Sequence, residues 1–108
     1  MAKARQLKGK EGGTKKVTFG VCASGDPRVD AASRQRAANI VGIVADLVAT
    51  HVRLPDGNPV DVVWTPLLMD GEREADAVGR MFREAGVNAV ICAPDTWAFP
   101  QLTLMSLL

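Results

Sequence analysis

The sequence predicts a three-layer α/β domain, a parallel sheet with helices on both faces. Three observations carry that expectation. Short apolar, β-branched runs recur at residues 17–22, 60–64 and 88–92. Two longer segments between them, 31–51 and 71–85, repeat apolar residues at three- and four-residue steps. The resulting β-α-β-α-β order ends in an apolar segment read as a third helix, and helices between strands imply parallel pairing with right-handed crossovers.

The first strand, with Val17, Phe19, Val21 and Cys22, runs into the turn formers Ser24, Gly25, Asp26 and Pro27. Asp30 stands at the N-cap position of the first helix, where a carboxylate accepts from free backbone N–H groups. Ala37, Ile40, Val41, Val44, Leu47 and Val48 make its apolar stripe. Pro55, Gly57 and Pro59 break the chain into a loop. The second strand is expected to close at Thr65 and Pro66, with Asp70 capping a second helix whose stripe is Ala75, Val78, Met81, Phe82 and Ala85. Gly86 ends that helix. The third strand shows little alternation, as in a strand covered on both faces. The preferred strand order is 2-1-3, the flavodoxin-like or Rossmann-like start. Residues 1–16 carry six Lys/Arg, three Gly and no hydrophobic pattern, and read as a disordered basic tail. No linker divides residues 17–108, which form one α/β domain.

Composition excludes several functions. A formal net charge of +1 gives no electrostatic case for nucleic acid or an acidic membrane, and two Trp, three Phe and no Tyr leave no stacking surface for single strands. No apolar run is long enough to span a bilayer, and the first residues lack a secretory apolar core. Two cysteines make neither a disulfide framework nor a zinc pattern, so a reducing cytoplasmic setting is expected. Cys22 and Cys92 read as small buried hydrophobes. His51 is the sole histidine and has no carboxylate cluster beside it, so no metal ligand set is expected in this chain. Neither GxGxxG nor GxxxxGK[ST] occurs.

Ligands of parallel α/β sheets gather beyond the carboxyl ends of the strands, near the switch in strand order. Ser24, Asp26 and Arg28 follow the first strand there, and Asp95, Thr96 and Trp97 follow the third. Each has two readings. Asp26 before Pro27 is a turn residue bonding nearby backbone, or part of a site. Arg28 pairs with Asp26 or Asp30, or offers its fixed donors to a hydroxyl-rich or anionic ligand. Trp97 covers the apolar core, or turns a ring face to the C–H face of a sugar.

The run Phe19-Gly-Val-Cys-Ala-Ser-Gly-Asp-Pro-Arg-Val-Asp30, the long Ala/Val/Ile helix and Ala93-Pro-Asp-Thr-Trp97 resemble the N-terminal domain of L-fucose isomerase-like proteins, a family that includes L-arabinose isomerases. The resemblance spans residues 17–108. It implies a metal-dependent aldose–ketose isomerase, with a divalent metal, typically manganese, and acid–base carboxylates in later domains. This chain would then be the first part of a longer homo-oligomeric enzyme, not catalytic alone and without a cofactor of its own. The family's first domain lends an arginine and a tryptophan to a neighbouring subunit's sugar site. Arg28 and Trp97 match those by position, with Asp26 and Asp95 beside them as substrate-binding residues. The chain departs from the family in having one arginine in the first loop and in Ala98, Phe99 and Pro100 after the tryptophan. The alternative is a free-standing flavodoxin-like ligand-binding or protein-interaction module without catalysis. The uncharged, apolar residues 101–108 are expected to pack against more protein, either the rest of a longer chain or another subunit.

Overall fold

The computed structural model describes residues 4–7, 17–94 and 107. Its elements in chain order are β1 (Arg5–Gln6), β2 (Thr18–Ser24), α1 (Ala31–His51), β3 (Asp61–Met69), α2 (Glu72–Glu84) and β4 (Ala89–Cys92). The four strands form one sheet in the order β1-β3-β2-β4, and every pairing is parallel. The three expected strands stand in the expected 2-1-3 arrangement, with β1 added outside β3.

Two cores lie on opposite faces of the sheet. On one face, Val21 and Ala23 of β2 and Val62 and Leu68 of β3 meet Ala37, Val41, Ala45 and Ala49 of α1. On the other, Cys22, Val63 and Met69 meet Ala75, Val78 and Phe82 of α2. The alternation of Val21 and Cys22, and of Val62 and Val63, between the faces is the period-two geometry of a strand. Apolar demand on both sides explains why β2 reads as a continuous hydrophobic run.

The stripe expected on α1 is displaced. Its fully buried line is Ala37, Val41, Ala45 and Ala49, while Ile40, Val44 and Val48 flank it half-buried and Leu47 is 53% exposed. Small side chains let the helix lie close to the sheet. Gly42 marks the closest point, since a Cβ there would come within 3.0 Å of the Trp64 ring. The α2 stripe is as expected: Ala75, Val78, Phe82 and Ala85 are buried and Met81 half-buried. Gly86 follows at φ 73°, the left-handed conformation that ends a helix cheaply only at glycine.

Two boundaries differ from expectation. β3 does not close at Thr65 and Pro66 but continues to Met69. Val21 pairs with Trp64 and Ala23 with Leu68, so β3 carries two extra residues in a bulge between those pairs. Pro66 and the exposed Leu67 occupy it, where a residue without an N–H costs no ladder bond. Asp70 does not cap α2. The N-cap is Gly71, without a side-chain hydrogen bond, because the Asp70 carboxylate is drawn to Arg34 of α1 at 2.5 Å. β4 is only half-buried: Val90 packs on the α2-side core and Ile91 on the α1-side core, but among the described residues it is an edge strand. The expected third helix lies outside the described residues except for Leu107, which is helical and exposed.

Residues 4–7 depart from the expected disordered tail; the rest of 1–16 lies outside the described residues. Arg5 and Gln6 pair with Val63 and Trp64, the Leu7 N–H donates to the Trp64 carbonyl at 2.8 Å, and the Ala4 N–H donates to Asp46 Oδ1 at 2.9 Å. Arg5 also clasps Asp61, with its terminal nitrogen 2.7 Å from Oδ2. Leu7 is 3% exposed and belongs to the α2-side core. One leucine and one ion pair thus order a segment with no periodicity. Leu7→Ala is therefore expected to destabilise the fold by roughly 2–4 kcal/mol, the usual range for a buried leucine. Urea denaturation followed by circular dichroism reads this directly, and a tail that stays unstructured would show no change.

Candidate functional site

The carboxyl edge of the sheet is built first by the turn after β2. Asp26 sits 5% exposed at the root of that turn, and the Val29 N–H donates to its carbonyl at 3.1 Å, closing a four-residue turn with Pro27 in second place. Its carboxylate also accepts the Arg28 N–H at 2.8 Å, the side-chain turn that aspartate makes with the residue two ahead. The Arg28 guanidinium then folds back onto the same carboxylate, donating from Nε to Oδ1 at 2.9 Å and from a terminal nitrogen to Oδ2 at 2.6 Å. The two readings of Asp26 and Arg28 therefore merge, since the turn former is also the clamp that holds the arginine.

This pairing is asymmetric. The Asp26 side chain is 8% exposed and that of Arg28 79%. A buried carboxylate grips one edge of the fork, and three of the five guanidinium N–H donors are left facing outward. The hydrogen bonds from Arg28 hold the Asp26 carboxyl down at about 2, against an ordinary 3.8, and the carboxylate in turn raises the Arg28 pKa. Asp30 caps α1 as expected, accepting the Ser33 N–H at 2.7 Å, and that bond lowers its pKa.

Sequence reasoning missed Arg34. From the first turn of α1 it donates to the Pro27 carbonyl at 3.1 Å and pairs with Asp70 beyond β3. One guanidinium thus ties the Asp26–Arg28 turn to the loop leading into α2. Its only signal was a basic residue in the first turn of a helix that opens on the ligand-bearing edge. The Gly25 N–H adds a third tie, donating to the Met69 carbonyl at 3.0 Å.

Ser24 is buried, its Oγ 3.9 Å from Cys92 Sγ. The Ala93 N–H donates to the Cys22 carbonyl at 2.8 Å, so the chain leaves β4 on the same edge as the Asp26–Arg28 turn. Asp95, Thr96 and Trp97 lie outside the described residues. Among the described residues no group of three or more His, Cys, Asp or Glu side chains is placed to hold a metal ion. A groove of about 190 Å³ opens at the opposite end of β4, lined by Phe82, Arg83, Asn88 and Leu107 among others, away from this turn.

The family described as L-fucose isomerase, first N-terminal domain, matches residues 16–107. The chain belongs to that family. Similar curated proteins are L-fucose isomerases of Streptococcus pneumoniae, including those of strains Hungary19A-6 and JJA, each 32% identical over 66 residues. The aligned segment covers 61% of this chain and 11% of each relative, so the chain matches about a ninth of their length. No solved structure matches the chain significantly. In this first-domain family member, the turn carrying Asp26 and Arg28 falls within the matched region.

Two outcomes follow from the geometry. Because folding lowers the Asp26 pKa, the stability it contributes is complete above pH 3.8 and is lost as pH falls from there through about 2. Acid unfolding of Asp26→Asn compared with the parent protein should show this slope only in the parent. Arg34→Met should cost roughly 0.5–1.5 kcal/mol, the sum of a half-exposed ion pair and one hydrogen bond, in thermal melts. Hydrogen exchange should rise at Gly25 and Val29, whose amides stay bonded only while the turn is held.

Proposed function

We propose that this domain is the substrate-contacting part of a metal-dependent aldose–ketose isomerase resembling L-fucose isomerase. The observation that carries the reading is the exposed Arg28 guanidinium, fixed by the buried Asp26 on the sheet edge where α/β domains bind ligands. Sugar hydroxyls are good acceptors for outward N–H donors held in a fixed fork, and little side-chain entropy remains to be lost on binding. Asp26 acts through Arg28, since both of its oxygens already accept from that residue. Trp97 supplies a ring face for the apolar side of the sugar, and Asp95 an acceptor for its hydroxyls.

The described residues do not fit a divalent metal such as manganese, as they bring no three ligating side chains together. We therefore assign the metal and the acid–base carboxylates to other parts of the full enzyme, and no step of the chemistry to this domain. Its Arg28 and Trp97 serve a sugar site completed by the rest of the enzyme, in a neighbouring subunit of a homo-oligomer. A reducing cytoplasmic setting fits Cys22 and Cys92, which are not joined in a disulfide. No helix of the described residues is long and apolar enough to cross a membrane.

The test uses the full-length enzyme with L-fucose and L-arabinose as probe sugars. Arg28→Gln and Trp97→Ala should each weaken sugar binding by about 1–3 kcal/mol, the range for a charged hydrogen bond or a stacked ring. Asp26→Asn should give a smaller loss, and manganese affinity should not move in any of the three. Calorimetric titration of sugar and metal separately decides it: metal affinity that collapses while sugar binding holds would reverse the assignment.

A further inference from the structure

Cys22 and Cys92 are the two cysteines of the sequence, and the fold sets them opposite each other as partners in the parallel register of β2 and β4. Paired residues of neighbouring strands point to the same face. Ser24, two residues beyond Cys22 on β2 and hence on that same face, has its Oγ 3.9 Å from Cys92 Sγ. Neighbouring strands lie about 4.7–4.9 Å apart, inside the Cα separation of about 4.4–6.8 Å that a disulfide spans. Neither sulfur is joined in a disulfide. They differ in access, since Cys22 is 0% exposed and Cys92 is half-exposed on β4, which among the described residues is an edge strand. The neighbouring Cys92 thiol, together with burial, pushes the Cys22 pKa far above the ordinary thiol range. Cys22 is therefore a poor first nucleophile, and chemistry must enter at Cys92.

We propose that Cys92 and Cys22 form a reversible thiol-modification site, in which Cys92 reacts with a small disulfide and Cys22 then closes a cross-strand bond. The Cys92 thiolate attacks one sulfur of the small disulfide, forming a mixed disulfide and releasing one small thiol. The Cys22 sulfur then attacks Cys92 Sγ as its proton passes to the departing small thiolate, which leaves as the second small thiol. The protein loses two electrons and two hydrogens, and the small disulfide gains both. The pair also sits at the last residue of β4, where the Ala93 N–H donates to the Cys22 carbonyl, so closure alters how the chain leaves the sheet toward Asp95.

The experiment treats the reduced, folded protein with excess oxidised glutathione and follows it by non-reducing mass spectrometry with peptide mapping. The expected product is an intramolecular Cys22–Cys92 cross-linked peptide pair, with both thiols lost and both recovered on adding dithiothreitol. Cys22→Ser should stop at the glutathione mixed disulfide on Cys92, and Cys92→Ser should lower the rate of modification at Cys22 at least about tenfold. Cys92→Ala repeats the last measurement without adding a hydroxyl, and circular dichroism confirms that each variant is folded. Retention of both thiols, a mixed disulfide in the parent protein that never closes, a cross-link between two molecules, or unchanged reactivity of Cys22 in both Cys92 variants would each overturn the proposal.

Discussion

The burial of β2 on both faces is the constraint on which the other elements depend. Val21 and Ala23 need cover from one side and Cys22 from the other, and α1 and α2 supply it. With helices on opposite faces, α1 crossing from β2 to β3 and α2 from β3 to β4, β3 and β4 are left to pair with β2 in parallel. The close approach of α1 follows from the same demand. A line of alanines and one valine faces the sheet, and Gly42 yields its Cβ space to Trp64. Larger side chains on that line would lift the helix and uncover the strand that everything else rests upon.

From this arrangement comes the chemistry of the carboxyl edge. β2 delivers Asp26 to the rim while it is still buried, and a buried carboxylate needs a partner. Arg28 is two residues away and satisfies it, remaining exposed because only one side of its fork is used. The turn is then held by Arg34 at Pro27 and by Gly25 at Met69, so the arginine stands on a braced loop. The same strand that delivers Asp26 carries Cys22 opposite Cys92, so the turn at the carboxyl edge and the cysteine pair share one strand.

Much of the fold was legible in the sequence, because the signals were periodic and local. The 31–51 helix and its Asp30 cap and the α2 stripe and its Gly86 end rest on runs or neighbours a few residues apart, and the 2-1-3 strand arrangement followed from the alternation of those elements along the chain. Of the candidate site, Asp26 and Arg28 were found on the expected edge, while Asp95 and Trp97 lie outside the described residues. The misses share a cause. β1 has two residues and no pattern, and Pro66 reads as a stop unless the partner strand is known to leave a bulge for it. Arg34 finds Asp70 thirty-six positions away, and the exposure of Cys92 depends on which strand lacks a neighbour.

By itself, the sequence determined which segments are strands and helices, which faces seek burial and which edge carries the polar loops. Those properties follow from side-chain period and from turn chemistry within a few residues. Only the tertiary structure decided that Arg34 joins two loops and that the two cysteines face each other in register. Those outcomes depend on distances between residues remote in the chain, and a one-dimensional pattern carries no information about which of several charged or paired groups will meet.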